Sequence, residues 1–231
     1  MRPRHLTARA ALLIAIPAIA SAQAQKTTRT PTPRAKLASE CVWKPGDAWV
    51  KRQAEFFDET KHDWTNDSLR TALLEAAGLK APLKVPVQFG VRVEGSDSAP
   101  PAGAAAMVEA LNKLASTRGS TWPTRSVVGA SGTHAVYLLV SLDTTLAKTA
   151  LHRMMEAGPA ESPAADVATL EDRLRLVAGR KQIYGTQFRR GADGKIALAP
   201  MEDSAHADLR REGAALPPFK LGMCIAGAGR G

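Results

Sequence analysis

The chain has 231 residues, 45% hydrophobic and 23% charged, with a formal net charge of +9. Those proportions are globular and exclude a low-complexity, collagen-like or wholly disordered chain; the length fits one domain with appendages. Aromatic residues are only 5%, so a core has to rest on Ala, Leu and Val.

The first residues, "MRPRHLTARAALLIAIPAIASAQAQ", carry Arg2, Arg4 and Arg9 ahead of a short apolar stretch from Ala10 to Ala20, interrupted by Pro17. Ala22-Gln23-Ala24 then offers small residues at the positions a signal peptidase reads. The pattern predicts a secretory signal peptide over residues 1–24, too short to span a bilayer, and hence a periplasmic or secreted protein after cleavage near Ala24. No later segment is long and apolar enough to predict a membrane span. Cleavage removes three arginines, so the charge falls from +9 to +6. The remaining basic residues are spread along the chain, with Arg189-Arg190 and Arg210-Arg211 as adjacent pairs. Without a nucleic-acid motif this predicts a solvated surface and no nucleic-acid partner.

Residues 25–40, "QKTTRTPTPRAKLASE", lack apolar periodicity and predict a disordered Thr/Pro-rich spacer. A single domain is expected over residues 41–224. Its first helix begins near Asp47, with Val50, Ala54 and Phe57, and Trp49, Gln53 and Phe56, at helical spacing. A second follows Asn66-Asp67, with Leu69, Leu73, Leu74 and Ala77 inside and Gly78 as its stop. "VPVQFGVRV" reads as a strand or as an extended lead-in, and "GSDSAPPAG" as a loop. Met107, Leu111 and Leu114 stripe a third helix that ends at Gly119. The turn "STWPTRSVVGASG" leads to an apolar run, Thr133 to Val140, read as a buried helix although its β-branched content also suits a strand.

Thr145 to Ala157 is the next predicted helix. The strongest follows, from Pro163 to Ala178, with Ser162 as N-cap, Gly179 as stop, and Val167, Leu170, Leu174 and Val177 as its stripe. "KQIYGTQFRR", "GADG" and "KIALAP" then read as a β-hairpin near residues 181–198. Asp203 to Gly213 is a short last helix, "ALPPFKLG" leads to Cys224, and residues 225–231 form a flexible tail. The expected fold is mainly α: a bundle-like helical domain with one β-hairpin attached.

The cysteines, Cys41 and Cys224, have neither CxxC nor zinc-type spacing. In an oxidising compartment the expectation is a disulfide joining the two ends of the mature chain. No cofactor is called for, since there is no phosphate loop and no nucleophile elbow, and "GASGTH" is not GxSxG. No metal is called for either: His62, His134, His152 and His206 are scattered and read as surface or packing residues.

What remains distinctive is the hexapeptide Gln182-Ile183-Tyr184-Gly185-Thr186-Gln187. As a strand it would put Gln182, Tyr184, Thr186 and Phe188 on one face, an amide, a phenol and a hydroxyl in a row. Such a row can bind a sugar or peptide, or can satisfy buried helix ends. Upstream, Asp172 points off the Leu170/Leu174 stripe. By periodicity alone it is solvated.

"EALNKLASTRGSTWPTRSVVG", "HAVYLLV", "LEDRLRLVAGRKQIYGTQF" and "PMEDSAHADLRREGAALPPF", in that order, carry a resemblance. Together they resemble a bacterial family described only as a domain of unknown function. Its marks are a Gln-x-Tyr-Gly-Thr-Gln motif behind an Asp-Arg helix and an upstream Trp-Pro…Gly segment. The likeness runs from about Gln88 to Phe219 and implies no established activity. It does imply that Asp172 and Arg173 reach the hairpin, and it groups Asn112, Trp122, Asp172, Arg173, Gln182, Tyr184, Thr186 and Gln187 as a candidate binding or structural network. Gln88 and Arg92 are kept. The family's Gln-His pair is replaced here by Ser141 and Leu142, and an upstream Asp by Val87. Losing the histidine argues against proton-transfer chemistry. The expected function is a non-catalytic binding or interaction protein, with a glycan or peptide of the cell envelope as partner and the hexapeptide mainly structural. The alternative is a periplasmic hydrolase around Asp172, Tyr184 and Gln187.

Overall fold

A computed structural model describes residues 41–83, 90–94 and 99–227. The predicted signal peptide, the spacer up to Glu40, Val87 and Gln88 with the first part of "VPVQFGVRV", residues 95–98 of the predicted loop, and the last four residues lie outside the described residues. Eight α-helices and three short strands make up the described chain: α1 (Ala48–Phe56), α2 (Asp67–Ala76), β1 (Arg92–Val93), α3 (Ala104–Ser116), α4 (Arg125–Val140), α5 (Thr144–Ala157), α6 (Ala164–Val177), β2 (Gln187–Arg190), β3 (Ile196–Leu198), α7 (Ala207–Gly213) and α8 (Phe219–Ala226). The architecture is mainly α, with a small sheet attached.

The helices form where stripe, cap and stop agree. Asn66 caps α2 by accepting from Leu69 N–H, and Asp143 caps α5 by accepting from Leu146 N–H; each such cap stabilises its helix by about 1 kcal/mol. α4 is buried on almost every side, which is why its sequence is apolar all round. Leu73, Leu111, Trp122, Val136, Leu139, Leu146 and Leu170 converge around it as the main core. Inside α4, Gly129 sits at φ 70°, ψ 169° and kinks the helix. Glu59 Oε1 accepts from Ser131 N–H at 2.9 Å just past the kink, and Glu59 is itself held by Arg70 at 2.6 Å.

β1 pairs parallel to β2 (Arg92 with Gln187, Val93 with Phe188), and β3 pairs antiparallel to β2. The outer face of this sheet meets α8 in a second cluster of Cys41, Val91, Phe188, Ile225 and Ala226. Cys41 and Cys224 are joined by a disulfide there, their Cα atoms 5.9 Å apart. No helix among the described residues is long and apolar enough to cross a membrane.

Four expectations need correction. The segment from Ser120 to Gly132 is not all turn: α4 begins at Arg125, because a single glycine absorbs the break and the helix resumes after it. The strand expected from Lys181 starts only at Gln187. Gly185, at φ 69°, takes the chain out of the extended region, and Gly185 to Phe188 are consecutively buried instead of alternating. "ALPPFKLG" is more than a lead-in. Pro218 occupies the N-cap of α8, a place where its missing N–H costs nothing. The tail expected from residue 225 therefore begins inside a helix, with Ile225 and Ala226 buried.

Candidate functional site

Between the end of α6 and the start of β2 the backbone belongs to neither helix nor sheet ladder, so its polar groups need other partners. Asp172, on α6 and fully buried, supplies the acceptors. Its Oδ1 receives the N–H groups of Ile183 at 2.7 Å and Tyr184 at 3.0 Å. Its Oδ2 receives Thr186 N–H at 3.0 Å and Thr186 Oγ1 at 2.8 Å. The donors come from α7. Arg210 Nε donates to the Ile183 carbonyl at 2.8 Å, and Arg211 Nη1 donates to the carbonyls of Tyr184 at 2.7 Å and Gly185 at 3.1 Å. One carboxylate therefore takes the N–H groups of the turn and two guanidiniums take its C=O groups. Charge-assisted bonds of this kind are about twice as strong as neutral ones.

Gln182 completes the bracket. Its Oε1 accepts from Gln187 N–H at 2.9 Å, and its Nε2 donates to the carbonyls of Gln187 at 3.0 Å and Ala199 at 2.9 Å. The side-chain amide does the work of a peptide unit in the adjacent strand. Gln187 Nε2 in turn donates to the Thr169 carbonyl and to Thr186 Oγ1. Gly185 is required sterically: a Cβ there would lie 2.6 Å from the Phe219 ring.

Arg211 is wholly buried, against the expectation that the Arg210-Arg211 pair belongs to the solvated surface. Burial pushes its guanidinium down to about 10, partly opposed by the charges of Asp172 and Asp208, so it stays protonated at neutral pH. Gly222 of α8 leaves room for it, since a Cβ there would stand 2.7 Å from Nη2. Asp172, solvated by periodicity alone, is likewise buried.

The other candidates separate. Tyr184 is half-buried against Ala165, Ala168, Ala214 and Leu216. Burial, then the nearby charges of Glu171 and Asp172, hold its phenol above the ordinary value. Arg173 donates to the Ser141 carbonyl at the end of α4. Trp122 is in the main core, and Asn112 is exposed on α3 and joins no bond of the network.

Sequence reasoning missed a buried pair, His134 Nδ1 to Asp166 Oδ2 at 2.9 Å, because its members stand 32 residues apart. Asp166 borders a cleft of about 360 Å³ between α1 and the start of α6, lined also by Arg52, Phe56, Phe57, Arg125 and Pro163. A second cleft, of about 400 Å³, opens between the sheet and the end of α6. No cluster of three metal-ligating side chains occurs among the described residues. No known family, curated protein or solved structure matches the chain.

Proposed function

We propose that this chain is an exported, non-catalytic binding protein, periplasmic or secreted, whose Gln-Ile-Tyr-Gly-Thr-Gln segment is a structural bracket, and that it belongs to the family it resembles. The observation that carries this reading is the saturation of Asp172. Four hydrogen bonds leave its carboxylate no lone pair directed at a substrate. A hydrolase built on Asp172, Tyr184 and Gln187 would need that carboxylate free to move a proton. The Cys41–Cys224 disulfide is compatible with an oxidising destination, and the +6 expected after signal removal suits an anionic cell envelope.

The partner proposed is a glycan or peptide of that envelope. Disaccharide-peptide fragments of a bacterial cell wall carry both chemistries. The mature protein should bind them saturably and return them with unchanged mass. Cleavage of any bond, lost in Asp172→Asn while the variant keeps its melting temperature, would replace this reading with the hydrolase.

A further inference from the structure

The cleft between α1 and the start of α6 continues past its own walls. A neighbouring cleft of about 340 Å³ is lined by Met154, Met155, Val167, Ala168, Tyr184 and Arg210, and Pro159, Ala164 and Gly213 border both. The divide between them is low because these three residues are small. Pro159 and Gly213 are exposed, and a Cβ at Gly213 would meet no other atom within 4 Å. The lining moves along α6 from Pro163 and Ala164 to Val167 and Ala168, one turn, or a rise of about 5 Å. In an extended peptide, side chains two residues apart lie on one side of the chain, about 7 Å from each other. Two such side chains suit the two clefts, with the backbone crossing above Ala164 and Gly213.

The walls select the chemistry. Phe56, Phe57, Pro159 and Pro163 dominate the first cleft, and Met154, Met155, Val167 and Ala214 the second. Such walls suit apolar side chains and would leave a sugar's hydroxyls without partners, which costs free energy for each polar group buried that way. Both clefts are open to solvent along one side. A bare acyl chain would stay partly wet there, whereas a peptide can turn side chains inward and its polar backbone outward.

Polar groups stand at the two ends. Arg125 lies over the Phe56 ring, 4.8 Å from its centroid. Its Nη2 donates to the Glu55 carbonyl at 3.2 Å, and its Nε is buried with no acceptor among the described residues. Burial holds this guanidinium below its ordinary value, opposed by the charges of Glu161 and Glu55. The nearby carboxylates are otherwise placed. Glu161 Oε2 accepts from Ser126 N–H at 2.9 Å, Asp166 is wholly buried and held by His134, and Glu55 is exposed, where solvent and salt screen it. Arg125 forms no ion pair among the described residues, so a ligand carboxylate would bring it a charge-assisted acceptor. The first turn of α6 adds donors: its N-cap, Pro163, has no side-chain acceptor, and the N–H groups of Ala164 and Ala165 meet no described acceptor. At the other end, burial holds the Tyr184 phenol above its ordinary value, so it remains an O–H donor at neutral pH.

We propose that the joined clefts bind the apolar C-terminal end of a peptide in extended form. Its last side chain lies beside Phe56, its third-last beside Met154 and Tyr184, and its terminal carboxylate at Arg125. The proposal rests on the binding-protein reading and narrows the partner from a glycan or peptide to a peptide end.

Titration calorimetry of the mature protein with acetyl-Leu-Ala-Leu, its C-terminal amide, acetyl-leucine, decanoate and the N-acetylglucosamine disaccharide tests this. The tripeptide acid should bind saturably, its amide and acetyl-leucine each about tenfold more weakly, and the disaccharide not at all. Arg125→Gln should remove the preference for acid over amide. Gly213→Leu puts a better helix former at the end of α7; it should keep the melting temperature and weaken the tripeptide about tenfold while leaving acetyl-leucine unchanged. Absence of tripeptide binding by the folded protein overturns the site and leaves the envelope-binding reading to its own experiment. Equal binding of acid and amide, or a preference that survives Arg125→Gln, overturns the C-terminal docking. Tripeptide binding that is untouched by Gly213→Leu, or matched by acetyl-leucine, overturns the joining of the clefts. Tighter binding of decanoate replaces the peptide with an acyl acid, and tighter binding of the disaccharide replaces it with a glycan.

Discussion

At Asp172 two oxygens receive four hydrogen bonds at zero exposure. Removing them strands three backbone N–H groups and takes away a counter-charge from the buried Arg211. Breaking a buried charge network by deleting one partner costs about 3–5 kcal/mol. Asp172→Ala should therefore lower the melting temperature by on the order of 10 °C, read by circular dichroism. Asp172→Asn should also destabilise, because its NH2 group meets donors on one side. A drop no larger than that of a surface substitution would refute the bracket. Its neighbour Glu171 behaves oppositely. Burial, then the charge of Asp172, hold the Glu171 carboxyl above its ordinary value, so the folded state favours its protonated form. That contribution is fully present below the unfolded pKa and is lost as pH rises through the folded one. Glu171→Gln should thus raise the melting temperature at pH 7 by about 1 °C after allowance for solvent screening, and the gain should vanish by pH 3.5. A gain that persists in acid would assign the effect to packing.

Among the elements, punctuation decides how much is legible. α6 lies within one residue of expectation at each end because Pro163 and Gly179 mark it, although the N-cap is Pro163 and not the expected Ser162. α8 is hidden by Pro217 and Pro218, which read as breakers although Pro218 sits at a cap. The hexapeptide has strand composition, but its hydrogen-bond partners lie on α6, α7 and past β3, which local periodicity does not register. Arg211 is illegible for the same reason: an adjacent arginine pair signals charge, and the carbonyls that bury it are 26 and 27 residues back. Gly129 is the glycine of the Trp-Pro…Gly segment, and its physical role lies in α4. At φ 70°, ψ 169° only glycine is comfortable. A Cβ there would stand 3.1 Å from Arg70 Nε, Glu59 Oε1 and the Trp64 ring at once. Gly129→Ala should cost about 2–3 kcal/mol, measured by urea unfolding. A neutral result would mean that α4 straightens through the kink.

For the whole molecule the disulfide sets the closure. Cys41 and Cys224 are 183 residues apart in sequence, and so large a loop gives about 5 kcal/mol in the chain-entropy account, an upper figure because denatured chains are compact. The bond also joins the start of the described chain to α8, in the cluster that backs β1 and β2. The main core around α4 lies elsewhere and does not contain it. Reduction should therefore act at two levels. The melting temperature should fall by on the order of 10 °C, and the Cys41→Ser/Cys224→Ser double variant should melt with the reduced wild type. Hydrogen exchange in the folded, reduced protein should quicken in α8 and β1 while α4 keeps its protection, since local opening starts where the packing has been loosened. Equal quickening in α4 and α8 would show one cooperative unit. An unchanged melting temperature would show that the loop constraint adds nothing to the packing of Cys41 and Cys224 themselves.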